Sequence, residues 1–328
     1  SCRFRYYLIM EIKVCTTKEW TEQEWDSYVT SFNEVFERGY PKEYFRHKYL
    51  STLDGCSYHA LLLNDAGEAV GACSVIPYHY RNSSVEFKNG LAVDVFIIES
   101  YRTDPLMLRR MYKKLTKLLV EKSVVAVMAV PNATAYPYWK NVVKWKDVGS
   151  LRYWAVPVRA GNIIHKSGFI NLFSRAYCSL MLGISSVLCL LGRCQKRYKY
   201  SIIESEFFLR ERFGADYCCE ENEGVKNYYR IMDEEGVRTA YLIYSRENGT
   251  LSFRSLYKGV SHILKRHDVD LILYVGPFSF FQTLFFKIPR KFEPKLLPLT
   301  CDLLLPQENS YNDILDFSNW DFGLLNYD

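Results

Sequence analysis

Residues 91–132 read LAVDVFIIESYRTDPLMLRRMYKKLTKLLVEKSVVAVMAVPN, and three patterns succeed one another along them. Residues 91–98 are rich in β-branched and aromatic side chains and read as a strand. From Leu106 through Leu108, Met111, Tyr112, Leu115, Leu118 and Leu119 to Val120, apolar residues recur at helical spacing, which predicts a helix to about Lys122. Asp104 and Pro105 stand before it as N-cap and first-turn proline. Residues 124–130 are continuously apolar and stop at Pro131-Asn132, the pattern of a strand buried on both faces. Strand, loop, helix and buried strand place the chain in the α/β class. The loop from Tyr101 to Leu106 enters a helix N-terminus, where free N–H groups and the positive dipole end suit an anion.

Toward the N-terminus, residues 11–15 read as a strand, and residues 20–36 as an amphipathic helix carried by Trp20, Trp25, Tyr28, Val29, Phe32, Val35 and Phe36. Pro41 opens a second, short helix that runs to Tyr49. Residues 58–63 and 69–77 read as strands joined by Asn64-Asp65-Ala66-Gly67, a hairpin signal. A further strand at 85–88 connects through Asn89-Gly90 to the strand at 91–98. Toward the C-terminus, a helix over 135–143 and strand over 147–158 close this first, mixed-sheet lobe.

The second half repeats the order in reduced form. Residues 206–213 echo the short helix, 228–232 and 237–244 echo the hairpin around Glu234-Glu235-Gly236, and a helix over 256–265 leads to a buried strand at 271–275. A helix over 278–286 and a strand near 297–305 follow, an arrangement that suggests duplication.

This order resembles the GNAT acyl-CoA N-acyltransferase family, in particular its two-lobed bacterial variety found with surface-polysaccharide genes. The residues that carry the resemblance are the aromatic-basic helix Glu43-Tyr44-Phe45-Arg46-His47-Lys48-Tyr49, the strand at 91–98, and Tyr101-Arg102 at the loop entry. Pro131-Asn132, Tyr136-Pro137 and Trp145 complete it, with Lys144 standing where that pattern has glycine. The resemblance covers residues 11–158 well and implies a GNAT-like α/β fold in tandem lobes, the second reduced. It sets a first lobe over 10–160, an apolar helix and linker over 161–200, and a second lobe over 201–328.

The resemblance implies a cytoplasmic N-acetyltransferase that uses acetyl-CoA, or another acyl-CoA, as co-substrate and a small-molecule amine as acceptor, an amino sugar among them. Phe96, Ile97 and Ile98 would line the pantetheine, and Arg102, Thr103, Asp104 and Leu106 would form the pyrophosphate loop. Asn132 would touch the pantetheine or cap the helix after it. Tyr138 would protonate the departing thiolate or serve as a packing residue, with Tyr136 as its alternative. Asp94 would accept the amine proton or pair with Lys48 or Arg46. The family's loop is glycine-rich so that phosphate can approach the backbone. Here Thr103 and Pro105 replace the two leading glycines, proline removes an N–H, and Asp104 brings a negative charge. Those changes favour a rival reading, a non-catalytic binding or assembly protein of the same fold. A second rival, the two-lobed peptidoglycan-building type that uses aminoacyl-tRNA, is disfavoured by the lack of a long helical arm or basic stripe in the sequence.

Composition bounds the remainder. At 328 residues the chain is long enough for two globular units. Its formal net charge of +5 suits a phosphate-bearing ligand without demanding nucleic acid. Ten cysteines show no CxxC pair, and the six histidines no metal spacing, so reduced thiols and no metal site are expected. Residues 1–9 lack a signal-peptide cleavage pattern, and Met10 is a candidate start. Residues 176–191 form an apolar run of 16 residues flanked by Arg175, Arg193, Lys196 and Arg197, read as an inter-lobe helix buried against both cores or as an interfacial helix at a membrane surface.

Overall fold

The computed structural model describes residues 10–165, 168–191, 197–278, 281–306 and 309–327. The expectations about residues 1–9 and the flank at Arg193 and Lys196 lie outside the described residues. In chain order the first elements are β1 (Glu11–Thr16), α1 (Glu22–Phe36), α2 (Lys42–Leu50), β2 (Tyr58–Leu63), β3 (Ala69–Asn82), β4 (Val85–Ile97), α3 (Met107–Glu121) and β5 (Val124–Ala129). Next come α4 (Tyr136–Tyr138), β6 (Lys146–Leu151), β7 (Tyr153–Pro157), α5 (Ala160–Ile163), α6 (Gly168–Leu191), β8 (Tyr200–Ile202) and α7 (Glu206–Arg212). The last are β9 (Cys218–Asn222), β10 (Val225–Glu234), β11 (Val237–Glu247), α8 (Phe253–Arg266), β12 (Leu271–Val275), β13 (Phe286–Lys287), β14 (Leu297–Leu303), β15 (Trp320–Asp321) and α9 (Leu324–Tyr327).

These elements gather into two units: the chain up to Gly149 with Pro298–Asp316, and Ser150–Leu297 with the chain from Phe317 onward. The division differs from the lobes expected at 10–160 and 201–328. Strand β7, read from sequence as closing the first lobe, belongs to the second unit, and most of β14 belongs to the first.

In the first unit the strand order is β1-β2-β3-β4-β5-β14-β6. Strands β1 to β4 are antiparallel neighbours, β5 runs parallel to β4, and β14 antiparallel to β5. Helix α1 forms because Trp25, Tyr28 and Phe32 share one face, and because Thr21 and Glu24 cap its start reciprocally (3.2 and 2.8 Å). That face, with Phe45 and Tyr49 of α2, packs on Leu61, Ala72, Ile76 and Phe96. Each fully buried aromatic of this kind contributes about 1.5–3 kcal/mol. Helix α3 covers the opposite sheet face through Met111, Tyr112, Leu115 and Leu119.

Residues 85–97 are one continuous strand, not the two expected on either side of Asn89-Gly90. Asn89 is buried within the strand, and a Cβ at Gly90 would lie 2.5 Å from a Val75 methyl carbon. This glycine therefore serves close packing rather than a turn. The chain reverses instead at Ser83, whose φ is 55°, between the paired residues Asn82 and Val85. Helix α3 starts later than expected, with Asp104 and Pro105 before it. The expected helix over 135–143 is α4 continued by a wide turn over Trp139–Val143, and it ends on Lys144 at φ 73°. That left-handed conformation suits the glycine of the family pattern.

The second unit repeats the plan with fewer parts. Its strand order is β13-β7-β12-β11-β10-β9. Strands β9 to β11 are antiparallel, α8 follows, and β12 returns parallel to β11, with β7 antiparallel beyond it. Helix α8 buries Leu256, Val260 and Ile263 on this sheet. Buried Arg246 holds Glu204 (2.8 Å) and Asp321 (3.0 Å), tying the final segment to this unit. The expected helix over 278–286 is not seen in residues 281–286. There the Gln282 amide bonds both the N–H and the C=O of Phe285 (2.7 and 2.9 Å), a local closure that competes with helix, and β13 begins at Phe286.

Helix α6 spans 24 residues, longer than the 16-residue apolar run. By length and composition it is the one helix among the described residues that could cross a membrane. It is not the buried inter-lobe helix expected: Cys178 and Ser185 are buried, but Leu190 is 86% exposed. Cys15, Cys56, Cys73, Cys178 and Cys301 are buried free thiols.

Candidate functional site

The parallel ladder between β4 and β5 ends at the pair Leu91 and Met128. Beyond it β4 continues to Ile97 with β3 as its partner, while Ala129 pairs with Thr300 of β14. Just past this parting, Ser74 and Ala72 of β3 pair with Val93 and Phe96, so Asp94 and Val95 together oppose the single residue Cys73. This is a β-bulge, and Asp94 takes the left-handed conformation in it (φ 51°). Asp is among the few non-glycine residues that adopt that conformation readily.

The bulge directs the Asp94 carboxylate toward α2. Lys48 Nζ lies 2.7 and 2.9 Å from its two oxygens, and the Tyr49 hydroxyl donates to Oδ2. Lys48 and Tyr49 are adjacent on α2, with Tyr49 wholly buried and Lys48 partly so. The Tyr49 hydroxyl also meets that of Tyr28, from α1, at 2.5 Å. Burial, reinforced by the Asp94 charge, pushes both tyrosines well above their ordinary range. Burial works against the Lys48 charge, but Asp94 and the tyrosines Tyr44 and Tyr78 more than offset it, and Lys48 is raised.

Beneath this group, His59 bridges Ser74 (2.8 Å) and Thr17 (2.7 Å) in the core, and burial pulls its imidazole down to about 3. The pairing of Asp94 with Lys48 was legible in the sequence. The contributions of Tyr49, Tyr28, His59 and Ser74 were not. Tyr28 and Tyr49 sit on the buried stripes of their helices, where periodicity marks core and gives no sign of a shared hydrogen bond.

The loop into α3 is occupied by its own groups. Pro105 has no N–H, the Leu106 N–H donates to Asp104 Oδ1 (2.8 Å), and the Met107 N–H to the Asp104 carbonyl (3.1 Å). The Arg109 N–H donates to the Tyr138 hydroxyl (3.2 Å), which donates in turn to the Pro105 carbonyl (2.9 Å). Arg110 pairs with Asp104, and Arg102 Nε donates to the Ile97 carbonyl (2.7 Å). A carboxylate and a phenol therefore take helix-end amides that a pyrophosphate would need, and in this conformation the loop does not fit that group. Outside the loop, α3 exposes Arg109, Arg110, Lys113, Lys114 and Lys117 in a basic stripe.

The remaining expected residues are dispersed. Phe96 is buried against Tyr28 and Phe32 (ring centroids 5.5 and 5.8 Å apart), in the core beneath α1. Ile97 and Ile98 pack on the α3 side. Thr103 and Leu106 are exposed. The Asn132 side chain accepts the Ala135 N–H (2.8 Å), the capping role weighed for it. Tyr136 donates to Asp147 (2.7 Å), away from the loop contacts of Tyr138. Burial raises the Tyr138 phenol, and the Arg109 N–H pulls in the opposite direction.

The second unit repeats the geometry without the charge. Its β11–β12 ladder ends at Tyr241 and Leu273 while β11 runs on, and the extra residue where β10 pairs with β11 is Ile243. The loop into α8 is closed by Ser252, which takes the Ser255 N–H (3.0 Å) and donates to Glu247 (2.8 Å).

No protein-family model and no curated protein matches the sequence. Solved structures do resemble the chain. An Enterococcus faecalis protein of unknown function, described as a probable N-acyltransferase, superposes with a TM-score of 0.59 at 12% identity, over 90% of this chain and 73% of its own. A GCN5-related N-acetyltransferase from Kribbella flavida gives 0.57 at 11% identity, over 89% and 71%. Eis1 from Mycobacterium abscessus gives 0.53 at 10% identity, over 90% and 74%. The chain thus has the GNAT N-acetyltransferase fold expected from its sequence.

Proposed function

We propose that this chain is an N-acyltransferase that moves an acyl group from a thioester to an amine, using Asp94 at the end of the β4–β5 ladder. The bulge at Asp94 carries this reading. In the reaction a C–N bond forms, the C–S bond breaks, and the amine loses a proton that a nearby base must take. Asp94 is a carboxylate at the parting of the two strands, fixed by Lys48 and Tyr49. Among the described residues the second unit offers no equivalent, since its bulge residue is Ile243. The acceptor class is an amine, with an amino sugar as the first candidate.

Acetyl-CoA as donor is the finer part of this proposal. Among the described residues β4 pairs with β5 only as far as Leu91, which leaves an edge that suits an extended amide chain, and the basic stripe on α3 suits phosphate. The closed loop argues the other way and supports a second reading, a binding protein that keeps the fold and has abandoned the cofactor. Titration calorimetry with acetyl-CoA separates the two. Wild type should bind weakly and Asp104→Ala, which frees the Leu106 N–H and removes a negative charge, about tenfold more tightly. Absence of heat from both proteins at millimolar ligand would favour the second reading.

A further inference from the structure

We propose that the outer face of α6 docks on an anionic lipid surface. The inner face of this helix is fixed to the second unit. Ser174 donates to the Val158 carbonyl (2.8 Å), Asn171 to Asn162 (2.8 Å), and Cys178 to the Pro157 carbonyl (3.3 Å). Cys178 lies within the core of that unit, and Met181, Leu182 and Leu188 pack against it. A helix pinned along one side in this way lies on its unit rather than crossing a bilayer.

The other side has the spacing of a helical stripe and is almost wholly apolar. Phe169, Phe173, Leu180, Ile184, Val187 and Leu191 succeed one another at intervals of three or four (or seven) residues, and Leu180 and Leu191 are 60% and 79% exposed. Single exposed leucines need no explanation, but a continuous row along 24 residues does. Arg175 is the one charged residue in the helix, so the row has few groups for the hydrogen bonds of a protein interface.

The stripe continues into a basic, aromatic segment. Tyr177 on α6 touches Phe286 (ring centroids 5.7 Å apart), which begins the stretch to Leu296. Phe292 and Leu296 there are exposed, as are Lys287, Arg290, Lys291 and Lys295. The acid among them, Glu293, has its side chain covered, with Arg152 at 2.7 Å and Arg290 at 3.4 Å. Apolar side chains to enter the acyl boundary and a cationic rim to meet headgroups are what an interfacial helix presents to anionic lipid. A second copy docked on the same face would bring the two cationic rims together, so charge favours lipid over self-association.

Co-sedimentation of the full chain with phosphatidylglycerol–phosphatidylcholine vesicles tests this, with light scattering on the same samples. The wild type should bind, and Leu180→Glu with Val187→Glu should lose at least about tenfold in affinity. Lys291→Ala with Lys295→Ala should weaken binding about fivefold per lysine on anionic vesicles and little on pure phosphatidylcholine. Both pairs lie on the surface, and unchanged thermal melting would verify their folding. Absence of vesicle binding, or binding that the α6 pair leaves unaltered, would overturn the proposal. So would a wild-type dimer, indifferent to vesicles, that the α6 pair dissociates.

Discussion

His59 is neutral in the native first unit because it is buried between Thr17 and Ser74. The native imidazole, pulled down to about 3, stays unprotonated where an unfolded one, ordinarily near 6.5, accepts a proton. Between those values the unfolded chain binds more protons, so stability falls as pH falls through the window. Denaturant melts at pH 7 and pH 5 should differ by about 2 kcal/mol from this group, a difference that His59→Asn should abolish. Equal slopes in the two proteins would show that His59 is not buried neutral. At this scale the sequence exposed an acid on a strand and a lysine on a helix as candidate partners. The hydroxyls that complete the group come from α1 and α2, and no local pattern joins Tyr28 to Tyr49 or Tyr49 to Asp94.

At the scale of elements, strands and helices with strong periodicity were legible: residues 271–275 match β12, and α1, α3 and α8 lie where the apolar spacing put them. Errors came where side chains override local signals. Asn89-Gly90 resembles a turn, yet it is held in β4 because Gly90 leaves room for Val75. Asp104-Pro105 resembles a helix start, yet Asp104 folds back on Leu106 before α3 begins. Tyr138 belongs to this layer of structure, since its hydroxyl ties the Arg109 N–H to the Pro105 carbonyl. Tyr138→Phe should cost about 1 kcal/mol in a urea melt and leave turnover within a few-fold of wild type. A loss of turnover far larger than the loss of stability would instead mark it as the acid.

At the scale of the whole molecule, each unit contains a strand from the other half of the sequence. The first holds β14 beside β5, and the second holds β7 beside β12. Hydrophobic pattern identifies such strands but not the sheet they join, so the boundary expected at residue 160 followed chain order alone. A fragment of residues 10–160 should therefore lack a strand beside β5 and aggregate or melt without cooperativity. Appending residues 298–316 through a flexible linker should restore a cooperative transition by circular dichroism. A short fragment that melts cooperatively by itself would show that β14 is dispensable to the first unit.

Amine-dependent release of thiol from acetyl-CoA, followed with a thiol reagent across a set of amino sugars, bears most directly on the assignment of Asp94. Wild type and Asp104→Ala should both release thiol only when a suitable amine is present. Asp94→Asn, which keeps the side-chain shape and the left-handed backbone, should lower the rate about 100-fold or more. Unchanged turnover in Asp94→Asn, or no amine-dependent release from wild type and Asp104→Ala alike, would contradict an acyl-transfer site at the β4 bulge.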